Sequence, residues 1–352
     1  LFALVCTPGL PIRSKVMAVL RGTTIKGILP VVEWGSIDWP LLGKGTMAVI
    51  YERPLGGRLA ATFDGQGAGI YEHDLPKRLI DPLVGAIRRL SSRDVTHRAI
   101  RPDNMYFMDE ERQTVVLGDC IASPPGFDQP IVFETIERGM ASPGGRGEGS
   151  DAEDLYALGV SVAFVGLGMN PVADLNEGDL LKAKIELGSY TAICGKERMP
   201  ASLVEPLRGM LNDDPAERWE FGDLEQWIGG QRQTPIPRKV SPKAAEPLEF
   251  ADAAYVTSRT LAHAFAQNVP EAAKTIKGGN LEEWLRRQLS DAECADAVAE
   301  SVNVAKAHAT DPQGSDDFLV SKICIFLDRA GPIRYKGISF MLDGFGPALA
   351  VE

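Results

Sequence analysis

Apolar residues fall in two rhythms along this chain. Near the start they form short strand-like stretches, at residues 1–6, 27–34 and 46–51, with one helical segment around residues 12–20. From residue 75 to 90 the spacing changes: Leu75, Leu79, Ile80, Leu83, Val84, Ile87 and Leu90 recur every third or fourth position and predict one long helix with a buried stripe. Residues 106–117 are strand-like at both ends of the polar tip Asp109 to Gln113, which predicts a hairpin. Residues 123–149 are rich in Pro and Gly and predict a long loop, after which Ser150 or Asp151 caps a helix. The longest apolar run, residues 157–169, is shorter than the roughly 20 residues a membrane span needs, so it predicts a buried helix and no membrane segment.

The C-terminal part has its own pattern. Residues 229–248 hold a Gly pair and Pro235, Pro237, Pro242 and Pro247 among basic residues without periodicity, the composition of a linker. Residues 254–267, 270–277, 281–289, 291–309 and 318–327 then alternate apolar and polar faces at helical spacing and predict a small all-helical domain. Trp284, flanked by Leu281 and Leu285, fits either the core of that domain or an anchor for a partner.

Composition narrows the class. With 352 residues, 44% hydrophobic and 24% charged, the chain has the content of about two ordinary globular domains. A net charge of -11 speaks against a nucleic-acid partner, which calls for a basic face. Cys6, Cys120, Cys194, Cys294 and Cys324 are scattered, without a C-x-x-C pair or a histidine at metal-ligand spacing, and read as reduced thiols of a cytoplasmic protein. Because the chain opens on Leu1, directly in a strand-like stretch, a further segment is expected before it.

The densest chemistry lies in Thr96-His97-Arg98-Ala99-Ile100-Arg101-Pro102-Asp103-Asn104, followed by Val115-Val116-Leu117-Gly118-Asp119. This pair of motifs resembles H-R-D-x-x-x-x-N and D-F-G of the protein kinases, where the first Asp positions the substrate hydroxyl and the Asn and second Asp hold magnesium. His97, Arg98, Pro102, Asn104 and Asp119 match, while Ala99 stands where the catalytic carboxylate belongs. Further landmarks follow in the family's order. Residues 47–59 resemble the last small-lobe strand and hinge, and Ser142-Pro143-Gly144 sits where the family has A-P-E. Residues 150–159 resemble the start of the large lobe's central helix, with Asp154 as the acid that braces the catalytic loop. Residues 210–219 resemble the D-P-x-x-R segment and include Arg218.

This resemblance implies an α+β, two-lobed protein-kinase-like fold with an incomplete N-lobe. Residues 1–54 would form the partial N-lobe and hinge, 55–230 the helical C-lobe, 231–249 a Pro-rich linker and 250–352 the helical C-terminal domain. The family's glycine-rich loop over the phosphates would lie before Leu1. Gly65 to Gly69 follow the hinge and read as a flexible loop instead. Two C-terminal segments, residues 279–285 and 327–335, are loosely similar to modules of bacterial signalling proteins.

Departures from the family pattern are numerous at the positions that carry chemistry. The motif V-A-I-K, whose lysine pairs the α- and β-phosphates, aligns with Ala3-Leu4-Val5-Cys6, and a thiol is no substitute for an ammonium. The helix glutamate that should pair with that lysine falls at Val16. At the hinge, Tyr51 takes the gatekeeper position and Glu52 and Pro54 follow; Pro54 has no N–H for a nucleotide base. Gly144 replaces the A-P-E glutamate and deprives Arg218 of the partner the resemblance implies. Asn104 and Asp119 are the residue types a magnesium site needs, and they have a structural reading as well, tying the catalytic loop together through backbone bonds. His97 and Arg98 read as structural, with Asp154 and Arg218.

The sequence therefore points to a catalytically inactive pseudokinase, a signalling scaffold or allosteric regulator whose partners are other signalling proteins. No cofactor is expected. The alternative is a sensor that binds ATP with magnesium, or an atypical nucleotide-transferring enzyme using the same cleft through Asn104, Asp119, Glu52 and Pro54.

Overall fold

A computed structural model describes residues 1–41, 43–63, 69–239, 242–308 and 310–351. The loop reading for residues 65–68 lies outside them. Helices and small antiparallel sheets are mixed throughout, compatible with the expected α+β class.

The first sheet has the order β1-β3-β2, built from β1 (Phe2–Val5), β2 (Val31–Trp39) and β3 (Gly43–Tyr51), with α1 (Ser14–Leu20) in the connection between β1 and β2. Its registers place Phe2 and Val31 on either side of Tyr51. Alternation along β3 turns Val49 and Tyr51 into the apolar core, where Val16 and Leu20 of α1 meet them. A second sheet follows, β4 (Gly57–Arg58), β5 (Met105–Phe107) and β6 (Val115–Leu117), in that order. The two sheets are stitched together where Leu29 N–H donates to Leu117 and Leu117 N–H to Gly27, at 2.8 and 2.9 Å.

The helix expected over residues 75–90 is divided. Residues Pro76–Ile80 wind as a π-turn before α2 (Asp81–Ser91). Pro82 has no N–H to donate back along the chain, so the ladder loosens one turn upstream. After α3 (Ile136–Gly139), α4 (Asp151–Leu167) is buried on nearly every side and is closed by a Ser150–Glu153 capping box and by left-handed Gly168. Of the helices that follow, α5 (Glu177–Leu187) packs on α6 (Ser189–Cys194), α7 (Ala201–Met210) lies along α4, and α8 (Phe221–Ile228) packs on α2. One continuous apolar cluster extends from Cys6 to Trp227. No helix among the described residues is long and apolar enough to cross a membrane.

Residues 231–239 carry no helix or strand, yet they are not free. Asn212 donates to Ile236 O at 2.8 Å, and Arg238 donates to Glu186 O at 2.9 Å. A separate apolar cluster then runs from Ala244 to Leu327. It is formed by α9 (Ser258–Gln267), α10 (Val269–Lys277), α11 (Asn280–Gln288), α12 (Ala292–Ala307) and α13 (Asp316–Leu327), preceded by the hairpin β7 (Leu248–Phe250) and β8 (Ala253–Tyr255). The hairpin β9 (Ile333–Tyr335) and β10 (Ile338–Phe340), whose first strand lies against α13, and the final helix α14 (Phe345–Val351) follow outside that cluster. The expectation of an all-helical domain is thus corrected. Both hairpins turn on two residues of positive φ, Ala251 and Asp252 in the first, Lys336 and Gly337 in the second, and both turns lie outside the stretches of helical spacing. Trp284 is buried in this core and donates to Glu246 O at 2.9 Å.

The C-terminal segment docks onto residues 137–149. Ser142 N–H donates to Ser339 O at 2.8 Å, Met341 N–H to Gly145 O at 2.9 Å and Gly149 N–H to Asp343 at 2.7 Å. Glycine is required for this approach. A Cβ on Gly144 would meet Val351 at 3.2 Å, and one on Gly145 would strike the Ser339 carbonyl.

Candidate functional site

The loop from Val95 to Asn104 lies between α2 and β5 and is held from below by α4. Asp154, fully enclosed, accepts the backbone N–H groups of His97 (2.6 Å) and Arg98 (2.8 Å). Burial nevertheless pushes its carboxyl up to about 6, against these two bonds. Arg98 takes φ 56 in the left-handed region, where a non-glycine residue needs outside support. Its guanidinium supplies some of that support by pairing with buried Glu134 at 2.8 Å. His97 is buried too, its Nε2 3.3 Å from Gly118 O and its Nδ1 3.3 Å from the Ala99 N–H. Burial, followed by the charge of Arg13, lowers its pKa to about 3, so the imidazole is neutral at pH 7.

Asn104 and Asp119 meet above this loop. The Asn104 amide donates to Ala99 O and Asp119 O, both at 2.8 Å, and its oxygen accepts the Asp119 N–H at 3.1 Å. Every polar atom of that amide is engaged by backbone. The Asp119 carboxylate accepts N–H groups from Ile121 (3.1 Å) and Ala122 (3.2 Å) and the hydroxyl of Tyr51. Cys6 stands close to Asp119, 4% exposed, with its thiol pushed up to about 11 by burial and then by the Asp119 charge. It is therefore a neutral thiol at pH 7. Ala99 offers a methyl group on the same cavity wall.

Cys6, His97, Arg98, Ala99, Asn104 and Asp119 thus share one cavity of about 350 Å³, with Arg13, Arg58 and Arg101 among its cations. Val16, Glu52, Pro54, Asp154 and Arg218 do not line it. Val16 is core, 1% exposed. At the position the resemblance gives to a hinge, Glu52 spends its N–H on Pro30 O at 3.0 Å and Pro54 has none to give. Arg218 is buried below the loop, its Nε donating to Asn212 O at 2.9 Å and its guanidinium 5.3 Å from the centre of the Tyr156 ring.

Sequence does not single out Arg13, and it names Tyr51 only as the gatekeeper position, without its contact to Asp119. Arg13, just ahead of α1, donates to His97 O (2.7 Å), Thr96 O (2.8 Å) and Cys120 O (3.1 Å) and pairs with Glu148, so a cation rather than an acid ties α1 to the loop. The Tyr51 hydroxyl, from the end of β3, donates to Asp119, with the Phe2 ring stacked on the Tyr51 ring at 5.5 Å. Neither has a local signal, because each acts on residues far along the chain. The only sequence hint for Arg13 is a basic residue directly ahead of an apolar helix.

No protein-family model matches this chain. Over 205 residues, 52% of this chain and 42% of its counterpart, it is 23% identical to CBL-interacting protein kinase 22 of Oryza sativa subsp. japonica. The chain therefore spans less than half of that relative's length and is similar to a protein kinase over about half of its own.

Proposed function

We propose that this chain is a kinase-like protein without phosphoryl-transfer activity, a pseudokinase that works as a signalling scaffold or allosteric partner through protein contacts. One observation carries the reading: the two side chains of magnesium-binding type, Asn104 and Asp119, are already engaged, the first by three backbone groups and the second by Tyr51 and two N–H groups. A metal ion at Asp119 would have to compete with a hydrogen bond to a charged acceptor, which contributes about 1.5–3 kcal/mol.

Supporting it are the groups around them. Phosphoryl transfer depends on positioning and charge neutralisation. A protonated Cys6 brings no positive charge to the phosphates, and Ala99 has no oxygen to orient an acceptor hydroxyl. Partner contacts would fall on the large helical part and the C-terminal domain, which are joined through residues 137–149.

A second reading, nucleotide binding without transfer to protein, is favoured by the polar cavity itself and its four arginines, Arg13, Arg58, Arg98 and Arg101. Incubation with α- and γ-labelled ATP and magnesium separates the possibilities. A scaffold acquires and transfers no label. Transfer of γ-label to any protein would sink the proposal, and α-label on the chain would install an atypical transferase instead.

A further inference from the structure

Where the large helical part, the linker and the C-terminal domain converge, there is a second cavity of about 400 Å³. Its wall is crowded with charge, and nearly all of it is matched. Glu137 pairs with Arg259 at 2.9 Å and Glu153 with Arg138 at 3.6 Å. On the linker side, Asp213 pairs with Arg238 at 3.6 Å and Asp214 with Lys239 at 3.2 Å. Arg259 and Arg138 each hold a further carboxylate, Asp328 and Asp343.

Arg218 is the exception. It lines the cavity, is 4% exposed, and among the described residues forms no ion pair. Its Nε is satisfied by Asn212 O, but its Nη1 has no hydrogen-bond partner among the described residues. A buried guanidinium with an open donor is costly unless an acceptor completes it. The Tyr156 ring beneath it provides a π-face, which stabilises the cation without filling the donor.

We infer that this cavity binds a compact oxyanion, a phosphate monoester or a carboxylate, with Arg218 as the anchoring cation and Lys239 at the mouth. The planar fork of an arginine suits two oxygens of either group. The four acids of the cavity are already matched by other cations, so an incoming anion meets Arg218 without a competing carboxylate at ion-pair distance. Lys239, whose side chain is 83% exposed, belongs to the linker and keeps Asp214 neutralised at the mouth, so that the entering anion does not face an unmatched carboxylate there. Occupation would therefore add to the bonds that already hold the linker on the large helical part, next to Arg259, Ala330 and Met341 of the C-terminal domain.

The test is isothermal titration of the full chain with inorganic phosphate, phenyl phosphate and acetate, each in a non-coordinating buffer. Saturable one-site binding of at least one anion is expected, weakened at least tenfold in Arg218→Gln. Lys239→Gln should weaken it several-fold; because that side chain is exposed, this variant keeps the test decisive even where Arg218→Gln does not fold. Arg232→Gln, at the exposed pair with Glu205 outside the cavity, should bind as the wild type does. Preference for the phosphates or for acetate assigns the ligand's headgroup. The absence of saturable binding by any of the three, undiminished binding by Arg218→Gln, or, where that variant does not fold, undiminished binding by Lys239→Gln, would overturn the assignment.

Discussion

Arg13→Gln distinguishes an α1 that is held by the catalytic-type loop from one that only lies beside it. In the wild-type protein the Arg13 guanidinium serves three backbone carbonyls, those of Thr96, His97 and Cys120, and closes an ion pair with Glu148. A glutamine amide has only two N–H groups for the three carbonyls, and its shorter stem brings it to one of them, so two lose their donor. An unmet buried polar group costs about 1–3 kcal/mol. Water can enter from the Glu148 side, where the carboxylate is half exposed, so the lower half of that range applies and the loss comes to about 3 kcal/mol for two carbonyls. Against a total stability of about 5–15 kcal/mol this is a large fraction. Equilibrium urea unfolding followed by tryptophan fluorescence reads it as a lower midpoint at unchanged slope. Glu148→Gln should cost under about 1 kcal/mol, since it removes only a partly exposed ion pair. If Arg13→Gln loses less than about 0.5 kcal/mol, the carbonyls are not dependent on it and the tie between α1 and the loop is refuted.

His97 gives the fold a defined acid sensitivity. Its folded pKa of about 3 lies below the ordinary 6.5, so its contribution is complete above 6.5 and is lost as pH falls, when the unfolded chain takes up the proton first. Between pH 7 and 5 the wild type should lose about 2 kcal/mol more than His97→Gln, and equal losses would contradict a neutral buried imidazole. Asp154, raised to about 6, acts in the opposite sense over the same range, so the comparison is made between proteins at each pH. Ala99→Asp should leave protein phosphorylation undetectable with labelled ATP, because Cys6 and Pro54 remain; label above background would show that a single carboxylate suffices. Gly144→Leu should wedge α14 away, seen as faster amide exchange in residues 339–351 and 142–149 together. Exchange unchanged in both segments would mean that the docking does not hold them.

Much of this frame is legible in the sequence because it is written locally. The alternating stretches give the first sheet, the uniformly apolar run after Ser150 gives α4, and the spacing from His97 through Asn104 to Asp119 brings those residues to one cavity. Long-range pairings are less visible. Nothing near Arg13 announces three carbonyls from residues 96, 97 and 120, and nothing near Tyr51 announces Asp119. The glycines of residues 144–149 read as a loop, whereas they form a seat whose occupant, residues 339–351, comes much later in the chain. The two C-terminal hairpins were missed for different reasons. Lys336-Gly337 is a recognisable turn pair, whereas Ala251-Asp252 adopts positive φ with no glycine to signal it, so the helix expected from residue 254 in fact begins at Ser258.

The central claim, a kinase-like cleft whose magnesium-type ligands are committed to the protein itself, is tested most directly by the melting temperature with and without millimolar ATP and magnesium. A ligand that binds only the folded state raises stability by RT ln(1 + [L]/Kd). An unmoved midpoint is the predicted result. A saturable, magnesium-dependent rise that disappears in Asp119→Asn would contradict it.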